Sequence, residues 1–425
     1  MRICVHGLGY VGLASASLFA NNGHDVVGYD TDEEVVARLR NGNLDIPEAD
    51  LEQYVGRALS DGLSVSDEVV AADYHVICVP TPYEDGPELG YLEDAATGIA
   101  SQLRPGDVVV VESTVPPTTT AGTVAPLLER SGLVAVEEFK LAYAPETILP
   151  GNTVEELRTN DRIIGGIDDD SARQVGDLFA AAIDGGIHIA PDATTAEFVK
   201  LAQNAFRDVN IAFANEMALV ADDYGVDVRE SIRLANTHPR VDVLSPGPGV
   251  GGHCLPVDPL FLTEKSERTK LVERARAVND GMPGYIVDRL EEELGSLAGR
   301  RIAVLGIAYK GNVEETRNSP GLALAAALRT ATLESTPLTD GGDNVGTATV
   351  ALADPHVSES SLELSPVYEA LRSADAAVLT AAHDEFAALD PARVAGLLRG
   401  DLVFDAVDVL DASTWEQHGL DVVDL

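Results

Sequence analysis

Short apolar runs alternate with helix-like stretches in the first and last parts of the chain. Residues 2–6 and 25–29 are the first two such runs, and a stretch of helical composition, 14–22, lies between them. Runs of this length that alternate with helices are typical of buried strands in a parallel sheet. The pattern predicts strands at 2–6, 25–29, 75–79, 107–112, 141–143, 162–164, 301–306, 349–352, 376–380 and 402–405.

The middle of the chain has a different pattern. Residues 195–224 are apolar-periodic and contain neither proline nor glycine, which predicts one long helix. Gly225 ends this helix, and a loop rich in glycine and proline covers residues 238–259. Shorter helices are predicted at 228–236, 270–279, 284–295 and 321–330, and the Gly341-Gly342 pair predicts a loop.

These patterns predict an α/β protein in which two Rossmann-like parallel-sheet domains are joined by a central helical domain. The predicted domains are 1–193, 194–296 and 297–425. A chain of 425 residues is long enough for about three domains of ordinary size, and for a sizeable core without disulfides or metals.

Acidic residues outnumber basic ones along the whole chain, 70 against 29, for a net charge of −41. Because clustered basic residues bind phosphate backbones, this charge argues against nucleic acid as a partner. The acidic residues are not collected in a tail, and only five of the basic residues are lysines. Such a coat indicates a cytoplasmic protein adapted to concentrated salt. No run approaches the roughly eighteen apolar residues of a membrane span, so no membrane association is expected.

The three cysteines fall into two kinds of local sequence. Cys4 and Cys78 lie in apolar strand patterns that are typical of a core, and an odd, low count indicates a reducing compartment. No Cys/His spacing is typical of zinc, so no metal is predicted. Cys254 lies instead in the glycine-rich segment 247–258, beside His253. The pattern favours a reactive thiolate, and the alternative is a small residue that fills a tight loop.

A dinucleotide-binding pattern follows the first strand. Gly7, Gly9 and Gly12 match G-x-G-x-x-G between a predicted strand and a predicted helix. The glycines permit a tight turn and let a pyrophosphate approach the helix N-terminus. Asp30 ends the second strand, where a carboxylate bonds ribose hydroxyls and repels a 2′-phosphate. The sequence therefore predicts NAD rather than NADP as the cofactor, and an ordinary glycine turn is the alternative.

Two threonines follow predicted strands, in Val79–Pro82 and Glu112–Pro116. Ligands of open parallel sheets bind at the carboxyl ends of the strands. Thr81 and Thr114 are therefore predicted to line the nicotinamide side of the cofactor. Ordinary turn chemistry is an equally good interpretation for either residue alone.

One lysine of the long helix stands between apolar neighbours. Lys200 and Asn204 are four residues apart and share a helix face, which Arg207 continues. A partly buried lysine can change its pKa or stabilise an oxyanion. The alternative is a salt bridge within the helix, with Glu197 as the candidate acid.

Taken together, these motifs resemble the nucleotide-sugar 6-dehydrogenases, the UDP-glucose and GDP-mannose dehydrogenase family. The Gly-Gly-His-Cys form of the cysteine loop is similar to the branch that acts on N-acetylated UDP-hexosamines, with UDP-N-acetyl-D-mannosamine as the implied substrate. The matching segments span the chain: Gly7–Gly12, Val79–Pro82, Glu112–Pro116, Ala144–Glu146, Lys200 with Asn204, the Cys254 loop, and Ala308–Lys310 with Arg317 and Pro320.

The resemblance implies a role for each matching residue. Cys254 would be the nucleophile, Lys200 the general acid/base or oxyanion partner, and Glu146 the group that handles a water proton. Asn204 and Asp258 would support them. Residues implied to face NAD are Gly7, Gly9, Tyr10, Val11, Gly12, Asp30, Thr81, Thr114 and Arg317. Residues implied to hold the UDP-sugar are Thr147, Ile148, Lys200, Asn204, Arg207, His238, Arg240, Gly251 and Lys310.

The implied reaction is a four-electron oxidation of a primary alcohol through a thiohemiacetal and a thioester on Cys254. UDP-glucose and UDP-N-acetylglucosamine are alternative substrates. A single-hydride β-hydroxyacid dehydrogenase and an NAD-binding regulator without turnover are alternatives from other classes, and neither has a use for Cys254.

The long helix also predicts an assembly. Its apolar residues lie on more than one face, which favours a homodimer built on the central helices, as the resemblance also implies. Two positions depart from the family: Thr147 stands where arginine is usual, which puts one substrate contact in doubt, and Thr118 where glycine is common in a turn.

Overall fold

The computed structural model describes residues 1–44, 46, 48–334 and 348–425. The predicted Gly341-Gly342 loop therefore lies outside the described residues. The chain forms two compact units. The N-terminal unit comprises Met1–Gln203 with Val257–Ser266, and the C-terminal unit comprises Asn204–Pro256 with Glu267–Leu425. None of the described helices combines the length and the apolar character that crossing a membrane requires.

One eight-stranded sheet forms the frame of the N-terminal unit. Its strands are β1 (Arg2–His6), β2 (Asp25–Tyr29), β3 (Leu63–Ser66), β4 (Tyr74–Ile77), β5 (Val108–Val111), β6 (Lys140–Tyr143), β7 (Arg162–Gly166) and β8 (Ile187–Ile189). Their order is β3-β2-β1-β4-β5-β6-β7-β8. Neighbouring strands are parallel except β6 and β7, which are antiparallel. The predicted parallel sheet is confirmed apart from that pair.

Helices cover both faces of this sheet, and its central strand β5 is apolar throughout. All four residues of β5 are buried valines, because neither face of a doubly covered strand meets water. The helices are α1 (Tyr10–Asn21), α2 (Glu33–Arg40), α3 (Ala49–Asp61), α4 (Gly90–Ala100), α5 (Ala125–Leu128), α6 (Thr153–Thr159) and α7 (Asp169–Ala180).

The predicted long helix is confirmed as α8 (Ala193–Tyr224), followed by α9 (Val228–Ala235), α10 (Cys254–Val257) and α11 (Lys270–Leu294). The prediction of two helices at 270–279 and 284–295 is wrong, because α11 continues through Pro283. Proline at this position removes one backbone hydrogen bond. The residues beside it, Met282 and Ile286, are buried in the apolar core of the C-terminal unit, and this packing outweighs the missing bond.

The C-terminal unit contains a second, wholly parallel sheet. Its strands are β9 (Arg301–Leu305), β10 (Thr349–Ala353), β11 (Ala376–Leu379), β12 (Leu402–Asp405) and β13 (Asp421–Asp424), in the order β10-β9-β11-β12-β13. Helices α12 (Pro320–Glu334), α13 (Val367–Ala370), α14 (Asp384–Ala387), α15 (Pro391–Ala395) and α16 (Ala412–Glu416) complete it.

The two sheets use the same turn after their first strand. Gly7 follows β1 with φ +93°, and Gly306 follows β9 with φ +103°. A Cβ on Gly12 would lie 1.9 Å from the Gly7 carbonyl oxygen, and one on Gly321 would lie 2.2 Å from that of Gly306. Both units therefore pack a strand and a helix closely through a pair of glycines.

Candidate active site

The first glycine turn has the shape that a dinucleotide requires. Gly7 needs its left-handed conformation, and Gly12 leaves no room for a side chain. Gly9 differs, because a Cβ there would meet nothing within 4 Å, so this side of the turn is open. Helix α1 begins at Tyr10 behind it. A pyrophosphate can therefore approach the helix N-terminus, and the residues fit NAD.

Asp30 follows β2 and lies beside this turn. Its Oδ2 accepts a hydrogen bond of 2.6 Å from the Leu8 N–H, and its Oδ1 accepts one of 2.9 Å from the Asp32 N–H. The carboxylate therefore fixes the glycine turn. Tyr10 is half-buried, and its hydroxyl donates to Glu48 over 2.5 Å. Val11 is also half-buried.

We expect the protein to prefer NAD over NADP by at least about a hundredfold in kcat/KM, because a 2′-phosphate beside Asp30 would suffer like-charge repulsion of several kcal/mol. Asp30→Asn tests this directly. The variant removes the negative charge, whereas its amide oxygen can still accept the hydrogen bond from the Leu8 N–H. Steady-state assays with both cofactors should find the ratio reduced at least about tenfold in the variant. Equal kcat/KM values in the wild type would contradict the assignment.

Thr81 and Thr114 follow β4 and β5 and are neighbours. The Thr81 hydroxyl donates to the Thr114 carbonyl oxygen over 2.6 Å, and Ser113 donates in the same way to the Val79 carbonyl oxygen over 2.7 Å. Thr81 is buried and Thr114 is half-buried. The Thr81 hydroxyl therefore holds the turn together, and Thr114 is the more accessible of the two at the carboxyl end of the sheet.

Lys200 meets the predicted catalytic glutamate. Its Nζ donates to the Glu146 carbonyl oxygen over 2.8 Å and lies 3.8 Å from the Glu146 Oε1. The side chain of Lys200 is only 6% exposed, and that of Glu146 only 12%. Glu146 also accepts from the Ile148 N–H over 2.5 Å. The site thus brings a lysine and a glutamate together in one poorly solvated place, and both are residue types that can act as general acids or bases.

The carboxylate of Glu197 bonds to the backbone of a turn rather than to Lys200. Its carboxylate is buried and accepts from the Thr118 N–H over 2.6 Å and from the Thr120 N–H over 2.7 Å. The interpretation of Lys200 as the salt-bridge partner of Glu197 is therefore wrong. Its carboxylate instead stabilises the turn that follows Thr114.

Thr118 in that turn has φ +84°, a left-handed conformation that a β-branched residue adopts only under strain. Its hydroxyl accepts from the Lys265 Nζ over 2.6 Å. We expect Thr118→Gly to raise the free energy of unfolding by about 1 kcal/mol, because the strain relieved exceeds the flexibility that glycine adds. Chemical unfolding will measure this. Thr118→Ala is the matched control, since it removes the hydroxyl, keeps the strained Cβ and should not stabilise.

A buried ion pair supports the loop that carries Glu146. Arg162 and Glu112 are both fully buried, and Arg162 Nη1 lies 3.0 Å from Glu112 Oε1. The same Nη1 donates to the Pro145 carbonyl oxygen over 3.1 Å, and the Cys78 thiol donates to Glu112 Oε2 over 3.1 Å. Sequence reasoning missed this pair. The only signal was a charged residue at the edge of each of two apolar runs, and the pairing needs the strand order.

Tyr143, at the end of β6, is another residue that the motifs did not indicate. It is fully buried, and burial raises the pKa of its hydroxyl well above the ordinary value. The charges of Glu197, Asp258 and Glu146 raise it further, whereas the Val115 N–H lowers it. The hydroxyl therefore stays protonated among three carboxylates. Asp258 itself is buried and begins a short 3₁₀ turn, Asp258–Leu262.

Cys254 lies in the C-terminal unit and is exposed, whereas Cys4 and Cys78 are buried. Two glycines before it, Gly251 and Gly252, lie too close to neighbouring residues for either position to hold a side chain. A Cβ on Gly251 would lie 2.6 Å from the Asn318 carbonyl oxygen, and one on Gly252 would lie 2.9 Å from the Tyr309 ring. Only glycine fits at either position, so the loop brings its backbone against Tyr309 and presents the thiol to solvent.

Hydrogen bonds fix the same loop. The Gly252 N–H donates to the Arg317 carbonyl oxygen over 2.8 Å, and Asn318 Nδ2 donates to the Gly252 carbonyl oxygen over 2.9 Å. Burial and the charge of Arg317 lower the pKa of His253. Arg317 is thus the one predicted cofactor residue in the C-terminal unit. Neither Asn318 nor Tyr309 was selected as a site residue from the sequence, although Tyr309 lies within the matching segment Ala308–Lys310.

The remaining predicted substrate residues occupy several places. Arg207 is exposed on α8, and its charge lowers the pKa of Tyr309, which burial and then Glu315 and Cys254 raise to about 12 overall. Lys310 Nζ lies 5.9 Å from the centroid of the Tyr309 ring. Those two residues and the Cys254 loop therefore form one cluster with Tyr309.

Other predicted residues lie apart from that cluster in their own surroundings. His238 and Arg240 are exposed in the segment after α9, where the Arg240 N–H donates to His238 Nδ1 over 3.3 Å. Asn204 is buried on α8. In the N-terminal unit, Thr147 contacts Asn160 Nδ2 through its Oγ1 and its carbonyl oxygen, both at 3.4 Å, and Ile148 is buried in the core.

Three sequence models of one family match the chain in succession. The UDP-glucose/GDP-mannose dehydrogenase family is represented by its NAD binding domain over residues 1–183, its central domain over residues 194–281 and its UDP binding domain over residues 303–412.

Full-length relatives extend this match. A UDP-N-acetyl-D-mannosamine dehydrogenase of Methanococcus maripaludis is 40% identical, over 99% of this chain and 96% of its own. An NDP-N-acetyl-D-galactosaminuronic acid dehydrogenase of Ralstonia solanacearum is 38% identical, over 92% of this chain and 93% of its own. The solved structure of the UDP-D-ManNAc dehydrogenase of Pyrococcus horikoshii matches with a TM-score of 0.90 and 38% identity, over 100% and 99% of the two chains.

Proposed function

The chain belongs to the UDP-glucose/GDP-mannose dehydrogenase family, and on this premise we propose that it oxidises UDP-N-acetyl-D-mannosamine to the corresponding uronate. That it is an NAD-dependent nucleotide-sugar dehydrogenase follows from the family. The sugar and the covalent route through Cys254 are the proposal. The observation that supports the covalent route is the exposure of Cys254 on a loop whose glycines pack against Tyr309.

Oxidation of a primary alcohol to a carboxylate removes four electrons and therefore uses two NAD molecules. NAD, when bound, accepts one hydride from C6 in each oxidation. The Gly7–Gly12 turn and Asp30 would hold it, since the turn is open at Gly9. Overall, one alcohol, one water and two NAD⁺ give one carboxylate, two NADH and three protons.

Cys254 supplies the step that joins the two oxidations. An aldehyde is a poor hydride donor, so the thiolate adds to its carbonyl carbon and forms a thiohemiacetal. Its oxidation gives a thioester. Water then attacks the thioester carbonyl, the carbon–sulfur bond breaks, and the uronate and the Cys254 thiol are released.

Lys200 and Glu146 are proposed to handle the protons. The Lys200 ammonium is buried and already donates to the Glu146 carbonyl oxygen, so it can stabilise an oxyanion or exchange a proton with the C6 oxygen. Glu146 accepts the proton of the attacking water. Arg162, through its bond to the Pro145 carbonyl oxygen, keeps the Glu146 loop in position.

The choice of sugar rests on the relatives, since UDP-N-acetyl-D-mannosamine dehydrogenases match across almost the whole chain at 37–40% identity. The test uses a limiting amount of UDP-N-acetyl-D-mannosamine with excess NAD in high salt, and measures NADH and uronate. We expect two NADH per sugar. One NADH would indicate a single-hydride dehydrogenase, and none a regulator. Faster oxidation of UDP-glucose or UDP-N-acetylglucosamine, assayed in parallel, would contradict the choice of sugar.

A homodimer built on α8 is a second proposal, and exposed apolar residues on that helix support it. Phe206, Phe213 and Val220 are 66%, 49% and 39% exposed and recur every seven residues. This spacing puts them in one stripe along the helix, and large apolar stripes of this kind are usually covered by protein. A second copy of the same helix would cover the stripe symmetrically.

Light scattering in high salt should find about twice the chain mass of 44.8 kDa. The double variant Phe206→Glu/Phe213→Glu should be monomeric, because it places charges in the stripe. Val134→Glu is the matched control, since Val134 is an exposed apolar residue of the N-terminal unit outside the stripe. A wild-type monomer that is active at assay concentration would contradict the proposal.

A further inference from the structure

Three metal-binding side chains meet on one face of the N-terminal sheet. Cys4 and His6 are two residues apart on β1, so both point to the same face. His75 of β4 pairs with Cys4 in the parallel register, which places it on that face as well. One ligand atom from each of the three residues lies within 4.8 Å of the other two. The proposed reaction uses none of the three.

The surroundings of the cluster exclude water. Cys4, His6 and His75 are all fully buried. On the same face, Val27 of β2 stands beside Cys4, and Tyr29 packs edge-on against His6 at 5.5 Å between ring centroids. Val27 and the Tyr29 ring therefore cover part of the cluster on the β2 side.

Hydrogen bonding leaves the two histidines incompletely satisfied. His6 Nε2 and His75 Nδ1 are 3.1 Å apart, so one nitrogen can donate to the other. The outer nitrogens, His6 Nδ1 and His75 Nε2, have no hydrogen-bond partner in the described part of the chain. The two facing nitrogens, His6 Nε2 and His75 Nδ1, are therefore the ones close enough to share one ligand.

We propose that Cys4, His6 and His75 form a buried binding site for a single Cu(I) ion. The 3.1 Å between the facing nitrogens is close to the spacing of about 3.3–3.5 Å that two nitrogens bonded at about 2.0 Å to one ion adopt. A thiolate with imidazoles is a donor set that soft ions prefer. When the copper–sulfur bond forms, the Cys4 thiol releases its proton.

Ligand number and charge favour Cu(I) over Zn²⁺. Structural zinc takes four ligands, whereas this cluster in the described chain contains three and is closed to water. One thiolate neutralises Cu(I) but leaves Zn²⁺ with a net positive charge. The charged groups that act on the cluster, Arg2 near Cys4 and Arg104 near His75, are themselves positive. An uncompensated buried cation beside them is unfavourable.

The experiment measures copper in the full-length protein. The exposed Cys254 thiol would bind copper by itself, so Cys254→Ala is the background for every sample. The proteins are produced in copper-supplemented medium, purified without oxygen and freed of loose copper with a Cu(I) chelator. Elemental analysis should find about one copper per chain, and X-ray absorption should find one sulfur and two nitrogen neighbours.

Variants locate the copper. Adding Cys4→Ala to the background should lower bound copper at least about tenfold, whereas adding Cys78→Ala, another buried cysteine, should leave it unchanged. His75→Asn is a second variant in case Cys4→Ala fails to fold, and thermal unfolding checks both. A background protein without copper would overturn the proposal, and so would copper that both Cys4→Ala and His75→Asn retain. Neither outcome bears on the proposed dehydrogenase activity.

Discussion

Cys254→Ser is expected to abolish uronate formation, lowering its rate by about a thousandfold or more. A serine hydroxyl is a far weaker nucleophile than a thiolate, so the aldehyde would not be converted into the thiohemiacetal that the second oxidation needs. Counting NADH and uronate per sugar will measure the loss. The fold and NAD binding should be unchanged, because Cys254 is exposed and lies in the C-terminal unit, outside the Gly7 turn.

Alkylation offers an independent check on the same residue. Iodoacetamide should modify the wild type once per chain and inactivate it, since Cys4 and Cys78 are buried. UDP-sugar should protect against the reagent. Cys254→Ser protein should not be labelled. If that variant still released two NADH per sugar at nearly the wild-type rate, the thioester route would be wrong.

Lys200→Met is expected to lower kcat by about 10²–10⁴-fold. Methionine keeps an unbranched apolar side chain in this buried place but removes the ammonium that donates to the Glu146 carbonyl oxygen. The pH dependence of kcat should also change, because a proton-transfer group is missing. A purely structural role of Lys200 would lower stability without altering the shape of the pH profile.

Lys140→Met provides the matched control for this experiment. Lys140 belongs to the same unit, is 23% exposed and lies 3.6 Å from Asp168 in an ion pair of its own. Its loss should leave kcat unchanged, with only a small decrease in stability. Should Lys200→Met retain kcat within about threefold of the wild type, Lys200 would not be a catalytic residue.

The sequence motifs identified the principal parts of the candidate site. Each of these parts depends on local geometry: the Gly7–Gly12 turn needs residues without side chains, and the Cys254 loop needs glycines at 251 and 252. The lysine on α8 was noticeable because lysine is rare in this chain. Such steric requirements can be recognised in a sequence, because they restrict which residue types occur at fixed distances from one another along the chain.

The supporting residues could not be found in this way. The pairing of Arg162 with Glu112 depends on the strand order, which brings β5, β6 and β7 together. Glu197 resembled a neighbour of Lys200, yet its carboxylate accepts from Thr118 and Thr120. A charged residue in an apolar run has several candidate partners, and only the folded chain selects one.

Several strands at the edges of the sheets also could not be predicted from the sequence. The strands that the pattern did not predict, β3, β8 and β13, all lie at the edges of their sheets. Their residues are partly exposed and therefore do not form a continuous apolar run. The break predicted near Pro283 failed for the opposite reason, because packing in the core outweighs one lost hydrogen bond.

The sequence by itself determined the α/β fold class, the dinucleotide turn, the long central helix and the glycine-rich loop that carries Cys254. These features follow from local physics, namely the burial pattern of short runs and the steric needs of glycine turns. Only the tertiary structure decided which buried groups meet. Cys4, His6 and His75 come together because β1 and β4 pair in one register, although about seventy residues separate them along the chain. Contacts between distant segments depend on that register, and no local pattern encodes it.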